Sequence, residues 1–98
     1  MPTYVLMTKL GPDLTKEMKH RREIGREWRK RVRELCPSVK FIAHYALLGA
    51  YDFLDIFEAD NEEDATLVSL VSRSAGAVIA ESWTAIPYAK FLELSEKV

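Results

Sequence analysis

One cysteine, Cys36, excludes an intrachain disulfide, so nothing staples this chain in the manner of a small secreted domain. Two histidines and one cysteine, with no paired ligand spacing, leave little from which to build a metal site. Two protomers could still share one. The acidic run Asp60–Asp64 lacks the spacing of a calcium loop. No glycine-rich phosphate loop and no nucleophile elbow is present, so no cofactor is expected. No apolar run approaches the ~20 residues that span a bilayer, so no membrane association is expected. The N-terminus lacks the basic start and long apolar stretch of a signal peptide, and a reducing cytoplasm is the expected compartment. Charge of neither sign dominates: 14 Lys and Arg stand against 15 Asp and Glu. That excludes attachment to nucleic acid through overall charge, though not through a local basic patch. Gly and Pro number only four each, and no linker, repeat or low-complexity segment divides the chain. Residues 1–98 therefore read as one domain, too short for two independent cores.

What is present has strong periodicity. Thr3–Lys9 is extended by pattern, and Gly11-Pro12-Asp13 breaks it. From Leu14 to Cys36 the period is helical: Leu14, Met18, Arg21, Gly25, Trp28, Val32 and Leu35 make one stripe. Asp13 or Thr15 could cap its start, and Pro37 stops it. Val39–Leu48 and Phe53–Ala59 are two strands of a hairpin turned by Gly49-Ala50-Tyr51-Asp52. Gly49 suits a positive φ, Asp52 can accept turn amide protons, and Tyr51 can pack over the hairpin end. The acids of Asp60–Asp64 suit the positive end of a second helix. It carries Ala65, Val68, Leu70 and Val71 as apolar members and ends near Ala75 at Gly76. Ala77–Ile86 is a fourth strand, and Pro87 fits the first position of a short tail helix bearing Tyr88, Phe91 and Leu92. This order predicts an α+β, ferredoxin-like βαββαβ domain: a four-stranded antiparallel sheet with two helices on one face.

A sheet with helices on one face and water on the other should alternate apolar and polar residues. Here both faces are apolar. Leu54 and Ile56 oppose Phe53, Asp55 and Phe57; Val78 and Ala80 oppose Ile79 and Trp83. In the second strand Phe41, Ala43, Tyr45 and Leu47 oppose Ile42, Ala46 and Leu48. A second cover is therefore expected, from another copy of the sheet in a homodimer or from the tail helix in a monomer.

At Gly49-Ala50-Tyr51-Asp52 the chain resembles the GYD domain family, whose name comes from a Gly-x-Tyr-Asp turn between the second and third strands. The apolar strand after the turn, Glu58-Ala59-Asp60, Gly76, and Glu81 five residues beyond it extend the resemblance over about residues 3–86. Two features depart from the pattern: the first helix is strongly basic, and Cys36-Pro37 stands where a glycine-rich helix end is expected. The resemblance implies a ferredoxin-like fold of the dimeric α/β-barrel type and no particular reaction. Related barrels include cofactor-free monooxygenases, isomerases, haem enzymes and regulatory ligand-binding domains, so fold alone selects none of them.

Several residues stand out chemically. Arg21 lies in the middle of the apolar helical stripe, where a buried guanidinium needs a partner. That partner is a bound anion, with Gly25 leaving room for it, or else Glu17, Asp55 or Glu81. Asp55 and Glu81 are the strand carboxylates with the most apolar neighbours; sharing one cavity, they would offer a general base. His44 and Tyr45, adjacent on a strand, point to opposite faces. His20 sits among Lys19, Arg21 and Arg22 and reads as surface. Cys36, at a helix C-terminus, is disfavoured as a thiolate.

The segment Lys16–Glu34 carries a net +5, leaving −6 for the remainder. Lys19, Arg22, Arg26, Arg29, Lys30 and Arg33 form a stripe that could meet phosphates or an acidic partner. Glu23, Glu27 and Glu34 flank it at pairing distance, and no groove-reading motif accompanies it, so a solvated face is expected and nucleic acid is not. The leading expectation is a homodimer binding a small, anionic ligand between sheet and helix. Arg21 is its counter-charge, Trp28, Tyr45 and Trp83 are walls, and Asp55 and Glu81 are nearby carboxylates. The alternatives are a cofactor-independent monooxygenase or isomerase using a strand carboxylate, or a regulatory interaction module using the basic helix.

Overall fold

The computed structural model describes residues 1–13 and 18–98. Strand β1 (Thr3–Leu10) is followed by a 3₁₀ turn (Met18–His20), helix α1 (Arg21–Leu35), strands β2 (Lys40–Ala46) and β3 (Phe53–Glu58), helix α2 (Glu62–Ser74), strand β4 (Ala77–Ala85) and helix α3 (Tyr88–Ser95). The strands form one sheet in the order β2-β3-β1-β4, and every neighbouring pair is antiparallel. This is the ferredoxin-like βαββαβ arrangement.

Register assigns the faces, because directly opposed residues share one. Tyr4, Leu6 and Thr8 lie opposite Phe57, Asp55 and Phe53. On β2, Phe41 opposes Phe57, His44 opposes Asp55, and Ala46 opposes Phe53. Helices α1 and α2 cover this face, where Val32, Ala65, Val68 and Val71 close a core around Tyr4, Leu6 and Phe57. Phe57 and Leu6 are fully buried, each contributing about 1.5–3 kcal/mol of transfer free energy. The other face carries Val5 and Met7, Leu54 and Ile56, Ala43 and Tyr45, and Ile79, Glu81 and Trp83.

Simple alternation along β2 fails. A register shift between Phe41 and Ala43 puts Phe41 on the helix face with His44 and Ala46, while Ala43 and Tyr45 stay on the open face. Phe41 thereby joins the aromatic cluster, 5.9 Å from Phe57.

The ends of α1 also differ from expectation. Met18 and Leu35 are exposed, and Ile24, outside the stripe, is half-buried. The helix begins at Arg21 with His20 in the cap position and no side-chain cap. Asp13 lies well before it; Leu14, Thr15 and Glu17 lie outside the described residues. Helix α2 begins as its acids suggest: the Asn61 side chain accepts from the Asp64 amide at 2.9 Å. Leu70, expected inside, is exposed.

Gly76, at φ 108°, ends α2 in the conformation that glycine tolerates. Its carbonyl accepts from the Gly11 amide at 3.1 Å. A Cβ on Gly11 would stand 2.9 Å from that oxygen, so glycine lets the two loops meet. Gly49 has no positive φ, contrary to expectation. The hairpin loop is held instead by Leu47 N–H to Asp52 O and Asp52 N–H to Thr8 O, each 2.8 Å. The Asp52 carboxylate accepts not from its own turn but from the Leu10 amide, at 2.7 Å.

Helix α3 does not close the open face: all its residues are exposed, and so are Tyr45 and Trp83. The Cα radius of gyration is 14.6 Å, against about 13 Å for a compact chain of this length.

Candidate functional site

Strand β3 places Asp55 at the centre of the helix-facing side, between Leu6 of β1 and His44 of β2. Only 2% of Asp55 is exposed. A carboxylate so enclosed requires a donor, and His44 Nδ1 supplies it at 2.5 Å from Oδ1. The half-exposed His44 ring stacks on Phe53, centroids 5.5 Å apart. Arg21, in the first turn of α1, spreads its guanidinium over the same Phe53, 4.7 Å from the ring centroid. Two turns further on, Trp28 donates its indole N–H to Ser72 Oγ of α2 at 2.7 Å and leans on Phe41. Ser72 in turn donates to the Val68 carbonyl.

Arg21, Trp28, His44, Phe53, Asp55 and Ser72 line a cleft of about 40 Å³ between α1 and the sheet. At roughly 10–15 Å³ per water this is space for about three, or for a carboxylate group, and too little to enclose a metabolite. Burial pulls the Arg21 guanidinium below its ordinary pKa, opposed by the charges of Asp55 and then Asp52. It stays cationic, as guanidinium does in proteins. Arg21 forms no ion pair among the described residues, and Glu17, one expected partner, lies outside them.

A second polar cluster occupies the open face. Tyr51 O–H and Trp83 Nε1–H both donate to Glu81 Oε1, at 3.2 and 3.1 Å. The rings of Tyr51 and Trp83 meet edge to face at 6.2 Å. The charge of Glu81 is the first cause, and desolvation the second, of a Tyr51 phenol pushed above its ordinary range.

The six residues singled out from sequence thus divide. Arg21, Trp28 and Asp55 share the cleft. Tyr45, Glu81 and Trp83 lie across the sheet from it, so Asp55 and Glu81 do not share a cavity. The residues that sequence reasoning left out of the cleft are His44, Phe53 and Ser72. His44 was missed because the expected four-residue turn sets it against Phe57 rather than Asp55; Ser72 carried no signal. Among the described residues, no group of three or more His, Cys, Asp or Glu could hold a metal ion. Likewise no helix is long and apolar enough to cross a membrane.

Fold and hairpin loop together define the class: a ferredoxin-like α+β domain with a Gly-Ala-Tyr-Asp segment joining β2 to β3. The GYD domain model matches residues 4–94, and the chain belongs to the GYD domain family. It is 30% identical over 96 residues to the glutamine synthetase and cystathionine beta-lyase binding protein of Thermus thermophilus, spanning 94% of this chain and 96% of that protein. Among solved structures, the crystal structure of FFRP-DM1 superposes with a TM-score of 0.54 at 18% identity, over 88% of this chain and all of that one. That similarity concerns the fold alone.

Proposed function

We propose that this chain is a binding protein without catalytic activity of its own, which works as a homodimer and holds a small anion of the carboxylate class at Arg21. The carrying observation is a half-buried guanidinium at the mouth of an apolar cleft with no ion pair among the described residues. A desolvated cation gains more from a bound anion than an exposed one does. Asp55 is the group that opposes such an anion, and its Oδ1 is engaged by His44.

The homodimer is supported by the open face, where Tyr45 and Trp83 are 59% and 47% exposed among other apolar side chains. A second copy of the same face would supply the missing cover. The reducing cytoplasm, where a lone buried thiol needs no partner, suits this protein. Protein partners enter this reading through the Thermus thermophilus relative, named for binding two enzymes. A carboxylate seated at Arg21 could be a free anion or a partner's side chain.

Calorimetric titration with acetate tests the cleft. Arg21→Ala should lose acetate binding while native mass spectrometry still shows the dimer. Acetate binding unchanged in Arg21→Ala overturns the proposal.

A further inference from the structure

Adjoining the cleft, and sharing Arg21, Trp28 and His44 with it, a groove of about 210 Å³ runs along α1 toward β2. Arg21, Arg22, Arg26, Trp28, Arg29 and His44 line it, and among the described residues no carboxylate does. Arg22, Arg26 and Arg29 succeed one another at helical spacings of four and three, where like charges repel. The expected relief from Glu23, Glu27 and Glu34 does not form: among the described residues none of these arginines makes an ion pair. Two of the cations are nonetheless held in place. Arg21 lies over Phe53 at 4.7 Å, and Arg29 over Phe41 at 5.4 Å. Gly25 sits among them. A Cβ there would meet nothing nearer than Arg21 Nη2, at 4.0 Å, so packing does not demand glycine. In mid-helix this glycine weakens the fold, and what it provides is depth in the groove.

We propose that this groove docks an acidic segment of a partner protein, with one of its carboxylates seated at Arg21 and others meeting Arg22, Arg26 and Arg29. The proposal rests on the reading of Arg21 as an anion site and extends it to a class of partner. Guanidinium forks match carboxylates bidentately. From Arg22 to Arg29 the helix rises about 10 Å at ~1.5 Å per residue, the span of a few residues of extended peptide. A nucleic-acid strand fits less well. Strand binders leave aromatic faces free for base stacking, whereas Trp28, the aromatic side chain lining this groove, is half-buried with its N–H on Ser72 and its ring against Phe41. A longer polyanion would also run onto a chain that carries −6 outside Lys16–Glu34.

The test is fluorescence anisotropy with a labelled octaglutamate peptide, in parallel with acetate calorimetry. Arg22 and Arg26 are exposed, so the double variant Arg22→Glu/Arg26→Glu should keep its fold by circular dichroism. It should bind octaglutamate at least tenfold more weakly than the unaltered protein while still binding acetate. Gly25→Leu, which fills the groove without changing charge, should also weaken the peptide, and added salt should weaken it in the unaltered protein. Equal peptide affinity in the double variant overturns the groove and leaves the cleft standing. Failure of the unaltered protein to bind acetate overturns the cleft reading itself. Tighter binding of labelled octathymidylate than of octaglutamate overturns the assignment to an acidic polypeptide.

Discussion

Asp55 separates the binding reading from the enzymatic one at the scale of a single side chain. A general base must reach a substrate proton in space large enough for a substrate. Asp55 is enclosed, already engaged by His44, and borders a cleft of about 40 Å³. Its charge opposes an anion at Arg21. Asp55→Asn keeps an oxygen for His44 Nδ1–H and removes that charge. Acetate should then bind several-fold more tightly by calorimetry; weaker or equal binding would mean that Asp55 does not oppose the ligand. Cys36 gives a pH dependence of known sign. Burial first, and the Asp64 charge second, hold the thiol above its ordinary value of 9.0. The folded chain thus keeps a proton that the unfolded chain releases. The stabilising contribution is complete below 9.0 and is lost as pH rises from there through the folded value. Urea titrations should show the alkaline loss in the unaltered protein and less of it in Cys36→Ala.

Elements were legible where period and punctuation agreed. The two helices that cover the sheet, the strand order and the Gly76 stop all follow from spacings of two or of three and four, together with one glycine. What escaped was how strands and helices seat on one another. A four-residue turn at Gly49–Asp52 would set His44 against Phe57. The loop in fact takes Leu47 and Leu48 as well, and His44 meets Asp55. The register shift at Phe41 likewise exchanges neighbours that alternation keeps apart. Half the candidate site was readable, because Arg21 and Trp28 follow from the helix stripe and Asp55 from its apolar flanks. Tyr45, Glu81 and Trp83 were grouped with them because two apolar faces look alike in sequence. Two glycines make the contrast between conformation and space measurable. Gly76→Ala should cost about 1–2 kcal/mol in urea denaturation, since alanine is strained at positive φ. Gly25→Ala, in mid-helix with room for a methyl group, should gain about 0.5–1 kcal/mol.

At the scale of the whole molecule, the two faces of one sheet carry different work. The helix face holds the core and the cleft, while the open face holds apolar side chains around the Tyr51–Glu81–Trp83 cluster. Trp83 makes the strongest probe of that face. Its indole N–H is satisfied within the chain by Glu81, which leaves the ring free to pack against a second copy. Large aromatic side chains contribute heavily to such interfaces. Trp83 opposes Val5 on the central strand β1 and is 47% exposed, so Trp83→Asp places a charge where the proposed interface is driest while disturbing the core on the other face little. Sedimentation equilibrium should find the unaltered chain dimeric and Trp83→Asp monomeric at the same concentration, with unchanged circular dichroism. Arg21 lies across the sheet from this surface, so the monomer should still bind acetate. A Trp83→Asp protein that remains dimeric would place the interface elsewhere, and the tail helix, with Tyr88, Phe91 and Leu92 exposed, would be the next surface to alter.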